Sequence, residues 1–175
     1  FLNGSQAQEE SLARSSALYA SLLTAPDFYA RHRASPSLLY SDAMVLSPGC
    51  PVFRDDAGDL LDEPYPVTFV TSAAPNAGAA AATRPHERLL VPDVLRRRSE
   101  LVLAVAASAG CEAVVLGAWG CGVFKNDPAT VAAAFAAHLR GAWAGRFRRV
   151  AFSVLDPAAG GPTVAAFDRA FAATA

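Results

Sequence analysis

This sequence of 175 residues lacks a charge excess, a metal-ligand cluster and an uninterrupted membrane-length apolar run. A formal net charge of -1 and a pI near 6.3 exclude broad electrostatic adhesion to nucleic acid or anionic lipid, which needs a clear basic excess. Cysteine is scarce: Cys50, Cys111 and Cys121 show no Cys-x-x-Cys spacing and, with no recognisable signal peptide, fit a reduced, cytoplasmic compartment. His32, His86 and His138 are equally scattered, so no zinc site is expected. The segment Leu101 to Cys121 is apolar apart from Glu112, but Gly110, Gly117 and Gly120 divide it, and it is read as buried core rather than a membrane span. Lysine is nearly absent, Lys125 being alone among 15 Lys and Arg residues, a bias that base composition explains. Two phosphate motifs are missing as well. Gly-x-x-x-x-Gly-Lys-Ser/Thr does not occur, and Gly120-x-Gly122 lacks the third glycine of the dinucleotide fingerprint.

What is present suits one hydrophobic core: 53% of residues are hydrophobic and 18% charged, at the size of a single domain. Leu12, Leu18, Leu22 and Leu23 predict one helix over 6–23, with Ser5 as N-cap and Pro26 closing it. Short strands are predicted at Asp42–Leu46 and Val52–Arg54 around a Pro48–Pro51 turn. A polar turn at Asp55–Glu63 and a stronger strand at Tyr65–Thr71 follow. Ala73–Pro85 reads as a loop. His86–Ala109 reads as one long helix whose arginine triplet, Arg96 to Arg98, forms a solvated face, with Gly110 after its end. Beyond it the pattern alternates strand Glu112–Leu116, helix Pro128–Leu139, strand Val150–Leu155 and helix Thr163–Ala172, with a loop at Ala158–Pro162. That alternation predicts a parallel sheet covered on both faces in an α/β protein.

Three stretches carry candidate chemistry. Leu116 to Pro128 runs from a buried strand through Gly117, Gly120 and Gly122 into a helix with Asp127 as N-cap and Pro128 at its first position. Glycines at the carboxyl end of a strand let backbone N–H groups approach an anion, and a diphosphate suits such a loop; a tight turn uses the same residues. Trp119 and Phe124 are placed to stack on a sugar or base, or to plug the core. Near the start, Gln8, Glu9 and Glu10 open a helix. Carboxylates there favour the helix dipole, yet Asn3, Gln6 and Gln8 surround them with polar groups, and positions 9 and 10 differ by about 100° around the axis, so one acid can face a ligand while the other takes a different partner. Thr71 to Asn76 places Ser72 and Asn76 at a strand end, either as a turn or as a ligand edge.

Gln8-Glu9-Glu10, the Phe1-Leu2-Asn3-Gly4 lead-in, the Ser72–Asn76 strand end and the Gly117–Pro128 loop, in this order, resemble the bacterial-type poly(ADP-ribose) glycohydrolases of the macrodomain superfamily. The resemblance implies a macrodomain-like three-layer α/β/α sandwich with a mixed, mainly parallel sheet, spanning 1–175 as one catalytic domain. It implies hydrolysis of ribose–ribose O-glycosidic bonds in poly(ADP-ribose), releasing ADP-ribose without a cofactor, and a place in the DNA damage response. Partners would be the polymer or an ADP-ribosylated protein, with neither nucleic acid nor membrane bound. Glu10 would be the general acid, Glu9 would hold hydroxyls of the scissile ribose pair, and Asn3 would contact the terminal ribose. Gln8, Ser72 and Asn76 would join the substrate site. Gly117, Ala118, Trp119, Gly120, Cys121, Gly122 and Val123 would wrap the diphosphate, and Phe124 would press on the terminal ribose. The family's glycine triplet would precede Asn3, so the Phe1 start is expected to mark a missing upstream segment. A protonated acid in a first helical turn opposes the helix dipole. Burial, the neighbouring carboxylate and the ligand's diphosphate must therefore favour the neutral form. Two other readings remain. One keeps the fold as an ADP-ribose-binding module or a mono-ADP-ribosyl hydrolase; the other is an unrelated nucleotide-binding α/β protein in which Glu9 and Glu10 only cap a helix.

Overall fold

The structure, a computed structural model, describes residues 7–156 and 160–172. The Ser5 cap, Gln6, Asn3 and the first part of the 158–162 loop lie outside those residues. The chain divides into two compact units, one of Phe1–Ala34 and Ala43–Ser72, the other of Ser35–Asp42 and Ala73–Ala175.

In the first unit the expected 6–23 helix is two helices, α1 (Gln8–Ser15) and α2 (Leu18–Leu22). Ser16 makes the break. Its backbone is extended at φ -148°, and it forms an antiparallel bridge with Val52. Its Oγ donates to the Leu12 carbonyl at 2.6 Å while accepting from the Leu18 N–H at 3.2 Å. A side chain thus replaces the interrupted helical ladder. Pro26 opens a further helix, α3 (Pro26–Ala34), that periodicity alone does not reveal. Its signal is electrostatic: Asp27 lies in the first turn and Arg31, His32 and Arg33 in the last, the polarity a helix dipole prefers.

The two short strands are one, β1 (Met44–Arg54), which pairs antiparallel with β2 (Leu60–Ser72). The expected Pro48–Pro51 turn is absorbed as a register shift between Ser47 and Cys50, where Gly49 adopts φ +62°. A bulge bends the strand without ending it. The hairpin turn is shorter than Asp55–Glu63. Asp55 Oδ1 accepts from the Ala57 and Asp59 N–H groups at 2.9 and 3.0 Å, and Gly58 supplies φ +92°.

The second unit holds α4 (Ala77–Thr83), α5 (Pro85–Arg88), α6 (Val91–Ser108), β3 (Ala113–Gly117), α7 (Pro128–Arg140), β4 (Arg149–Ser153) and α8 (Pro162–Phe171). The long helix expected from His86 is interrupted at Leu89–Leu90, and Pro92, which has no N–H to donate, sits in the first turn of α6. Gly110 follows α6 at φ +76°, as its sequence position predicts. β3 and β4 are parallel in the register Ala113–Arg149 to Gly117–Ser153. Val91, Leu95, Leu103 and Ala106 of α6, Val131, Ala132 and Phe135 of α7, Phe147 before β4 and Phe167 of α8 form the buried core, against which Val114, Leu116, Val150 and Phe152 of the strands pack. Among the described residues no helix is long and apolar enough to cross a membrane.

The arginine triplet departs from expectation. Arg96 and Arg97 are exposed, but Arg98 is 0% exposed, on the same α6 stripe as Val91, Val94 and Leu95. Its guanidinium donates to Asp42 Oδ1 at 2.9 Å and to the carbonyls of Leu39, Ala73 and Tyr40 at 3.0, 2.7 and 3.4 Å. Arg97 reaches the same carboxylate at 2.8 Å. Hydrogen bonds from Arg97 and Arg98 hold the Asp42 carboxyl below its ordinary range. The buried cation is thereby paired, and residues 39–42 are fixed beside the start of the 73–76 segment.

Candidate active site

Gln8, Glu9 and Glu10 form the first turn of α1. Gln8 is exposed, and the two acids are partly buried. The Tyr29 hydroxyl of α3 donates to Glu9 Oε1 at 2.5 Å. Burial raises the Glu9 carboxyl above its usual range, opposed by the Tyr29 bond and reinforced by the charge of Glu10. Burial, then the bond to Glu9, likewise pushes the Tyr29 phenol up, so it stays a donor. Phe28, edge-on to both Tyr29 at 5.0 Å and His32 at 4.5 Å, anchors this face of α3. Glu10 has its Oε2 shut off from solvent. Ser72, the last residue of β2, pairs with Met44 and also has a buried side-chain oxygen.

In the second unit, the segment after β2 does not stay a loop. Asn76 Oδ1 accepts from the Ala79 N–H at 3.0 Å and caps α4, so this predicted substrate contact already carries a structural duty through one of its atoms. Its own N–H donates to the Leu38 carbonyl at 2.8 Å.

Residues 117–127 turn from β3 to α7 as the glycine pattern predicts. Gly120 takes φ +70°, where a Cβ would lie 2.3 Å from Asn126 Nδ2 and 2.6 Å from the Ala74 Cβ, so this position requires glycine twice over. Cys121 N–H donates to Ala118 O at 3.0 Å, Lys125 N–H to Gly122 O at 3.0 Å and Asn126 N–H to Gly120 O at 3.1 Å. Among the described residues, the N–H groups of Gly120, Gly122, Val123 and Phe124 meet no acceptor, and Gly122 and Val123 are exposed. Such a run of backbone donors is the chemistry of an anion-binding concavity. The helix end supplies less than expected. Asp127 itself accepts from the Thr130 N–H at 2.9 Å and its hydroxyl at 2.6 Å, so the α7 N-terminus is occupied by its own cap.

The aromatic residues divide. Trp119 lies 6.4 Å from Phe135 and packs on the core, whereas Phe124 lies 5.9 Å from Tyr40, a residue held at φ +57° beside the Arg98 anchor. Cys121 is half-buried, and burial with the nearby Asp127 charge raises its thiol to about 11, which leaves it a packing residue rather than a nucleophile. Sequence reasoning missed Tyr29, Tyr40 and Asn126. Only Tyr29 had a legible signal, through the charge polarity of α3.

The first 55 residues match the model of the microbial-type PARG catalytic domain. No curated protein matches the chain. Among solved structures, poly(ADP-ribose) glycohydrolase from Deinococcus radiodurans in complex with ADP-ribose is 50% identical, with a TM-score of 0.93, over 100% of this chain and 70% of that one. The chain belongs to the bacterial poly(ADP-ribose) glycohydrolase family. The Thermomonospora curvata poly(ADP-ribose) glycohydrolase is similar too, at 56% identity and a TM-score of 0.89 over 97% of this chain and 62% of that one. The glycohydrolase match makes the fold macrodomain-like, with helices and both parallel and antiparallel strands. Glu9, Glu10 and Ser72 belong to its first compact unit, and Asn76 and the 117–124 loop to the second; Asn3 lies outside the described residues.

Proposed function

We propose that this chain hydrolyses ribose–ribose O-glycosidic bonds of poly(ADP-ribose) and releases ADP-ribose. The observation that carries the reading is 50% identity across the whole chain to a glycohydrolase whose structure contains ADP-ribose. Both compact units act as parts of one catalytic domain. Glu10 is the general acid that protonates the departing ribose oxygen as an oxocarbenium-like state develops. The side-chain Oε2 of Glu10 is shut off from solvent, which supports a role away from the bulk water. Glu9 holds hydroxyls of the scissile ribose pair, its orientation fixed by Tyr29. Asn3 contacts the terminal ribose, and Gln8, Ser72 and Asn76 complete the substrate contacts.

The backbone of Gly117, Ala118, Trp119, Gly120, Cys121, Gly122 and Val123 wraps the diphosphate, supported by the unused N–H groups of the exposed turn. Phe124 presses on the terminal ribose with Tyr40 behind it. Water attacks after the bond breaks, activated by a substrate phosphate or by Glu10 once it has given up its proton. The substrate is the polymer or the polymer on an ADP-ribosylated protein, and the setting is the cytoplasm.

Incubating the purified protein with poly(ADP-ribose) and following free ADP-ribose tests the reading. Time-dependent release is expected. Tight binding without release would make the protein a reader instead, and cleavage confined to single protein-linked units would make it a mono-ADP-ribosyl hydrolase.

A further inference from the structure

Asn126 is 2% exposed, and neither its position in the sequence nor the catalytic reading assigns it a role. Its Nδ2 donates to the Pro75 carbonyl at 3.0 Å, across a sequence separation of 51 residues. Its backbone N–H closes the glycine turn on Gly120 O at 3.1 Å. The same side chain fills the space that a Cβ on Gly120 would need, with Ala74 on the other side. A second strut runs alongside: the Gly78 N–H donates to Phe124 O at 2.9 Å. Burying an amide is unfavourable unless its polar atoms find partners; Nδ2 finds one on the segment that leads into Asn76, while Oδ1 is buried without one among the described residues.

We propose that Asn126 is a positioning residue that locks the 118–126 turn to the Ala73–Asn76 segment, so that the backbone donors at Gly120, Gly122, Val123 and Phe124 are preorganised for a diphosphate. This rests on reading that turn as the diphosphate loop. Where Glu10 activates the water, preorganised donors to the diphosphate stabilise ground and transition states alike, so their loss raises KM and leaves kcat.

The near-isosteric Asn126→Asp keeps the volume but turns a carboxylate oxygen toward the Pro75 carbonyl. With the intact protein it is expected to raise KM for poly(ADP-ribose) and the Kd for free ADP-ribose about tenfold, with kcat within about twofold and a cooperative thermal transition retained. Asn126→Ala is expected to behave the same way. An unchanged ADP-ribose Kd, or a fall in kcat at unchanged KM, would overturn the assignment. Should both variants fail to fold, amide exchange on the wild-type protein decides. Adding ADP-ribose is expected to slow the N–H groups of Cys121, Asn126 and Asn76 together, because locked segments open as one unit. Slowing of the 121–126 amides without Asn76 would overturn the lock. A wild-type protein that neither binds ADP-ribose nor releases it overturns the catalytic reading and this inference with it, whereas normal wild-type activity with an unaltered variant Kd overturns only the inference.

Discussion

Glu9 shows how a single contact between side chains shapes a candidate catalytic turn. Its partner Tyr29 comes from a helix twenty residues on, and the bond both orients the carboxylate and restrains the rise that burial imposes on it. Tyr29→Phe removes the donor and keeps the ring. Because a hydrogen bond to a charged group contributes about 1.5–3 kcal/mol, the variant is expected to release ADP-ribose at least ~10-fold more slowly, a steady-state measurement that full activity would contradict. The raised carboxyl also makes a stability statement. Between the ordinary glutamate range and the raised folded value, the native state binds more protons than the unfolded one, so stability from Glu9 is fully present at acid pH and is lost as pH rises. Glu9→Gln is therefore expected to melt above wild type at pH 7 and together with it below pH ~4. Thermal scans at the two pH values check this.

Elements began and ended where local chemistry was written plainly and were misjudged where it was overruled. The Asp127–Pro128 start of α7 and the Gly110 stop of α6 followed from cap residues alone. Asp127→Ala is expected to cost about 1 kcal/mol in denaturant unfolding. The split of α1 from α2 was not legible, because Ser16 breaks the helix by bridging to Val52, a partner 36 residues away. Likewise, Pro48 and Pro51 look like a turn until the bulge opposite Val67–Phe69 shows that the strand continues through them. Arg98 was misread because a charge run suggests solvent, although its spacing from Val91, Val94 and Leu95 puts it on the buried stripe. Its pairing with Asp42 yields a contrast. Asp42→Ala strands a buried guanidinium and is expected to cost ~3 kcal/mol or more, whereas Arg97→Ala removes only an exposed partner and is expected to cost less than ~1 kcal/mol. Denaturant midpoints compare the two, and equal losses would contradict the account.

Taken whole, the chain carries its candidate catalytic carboxylates in one compact unit and its candidate anion donors in the other. The candidate site was legible in its chemical groups, Glu9, Glu10 and the glycines, because each is a residue type with a narrow physical use. The residues beside them were less so: only the charge polarity of α3 signals Tyr29, and the side chains of Tyr40 and Asn126 meet partners distant in sequence. The central claim is that this protein breaks the glycosidic bond with Glu10 rather than merely holding ADP-ribose. Comparing wild type with Glu10→Gln for ADP-ribose release from poly(ADP-ribose), at polymer concentrations shown by calorimetry to saturate both, tests it most directly. The account predicts a loss of about 10²–10⁴-fold or more in turnover at nearly unchanged ADP-ribose affinity. Near-wild-type release by Glu10→Gln would contradict it.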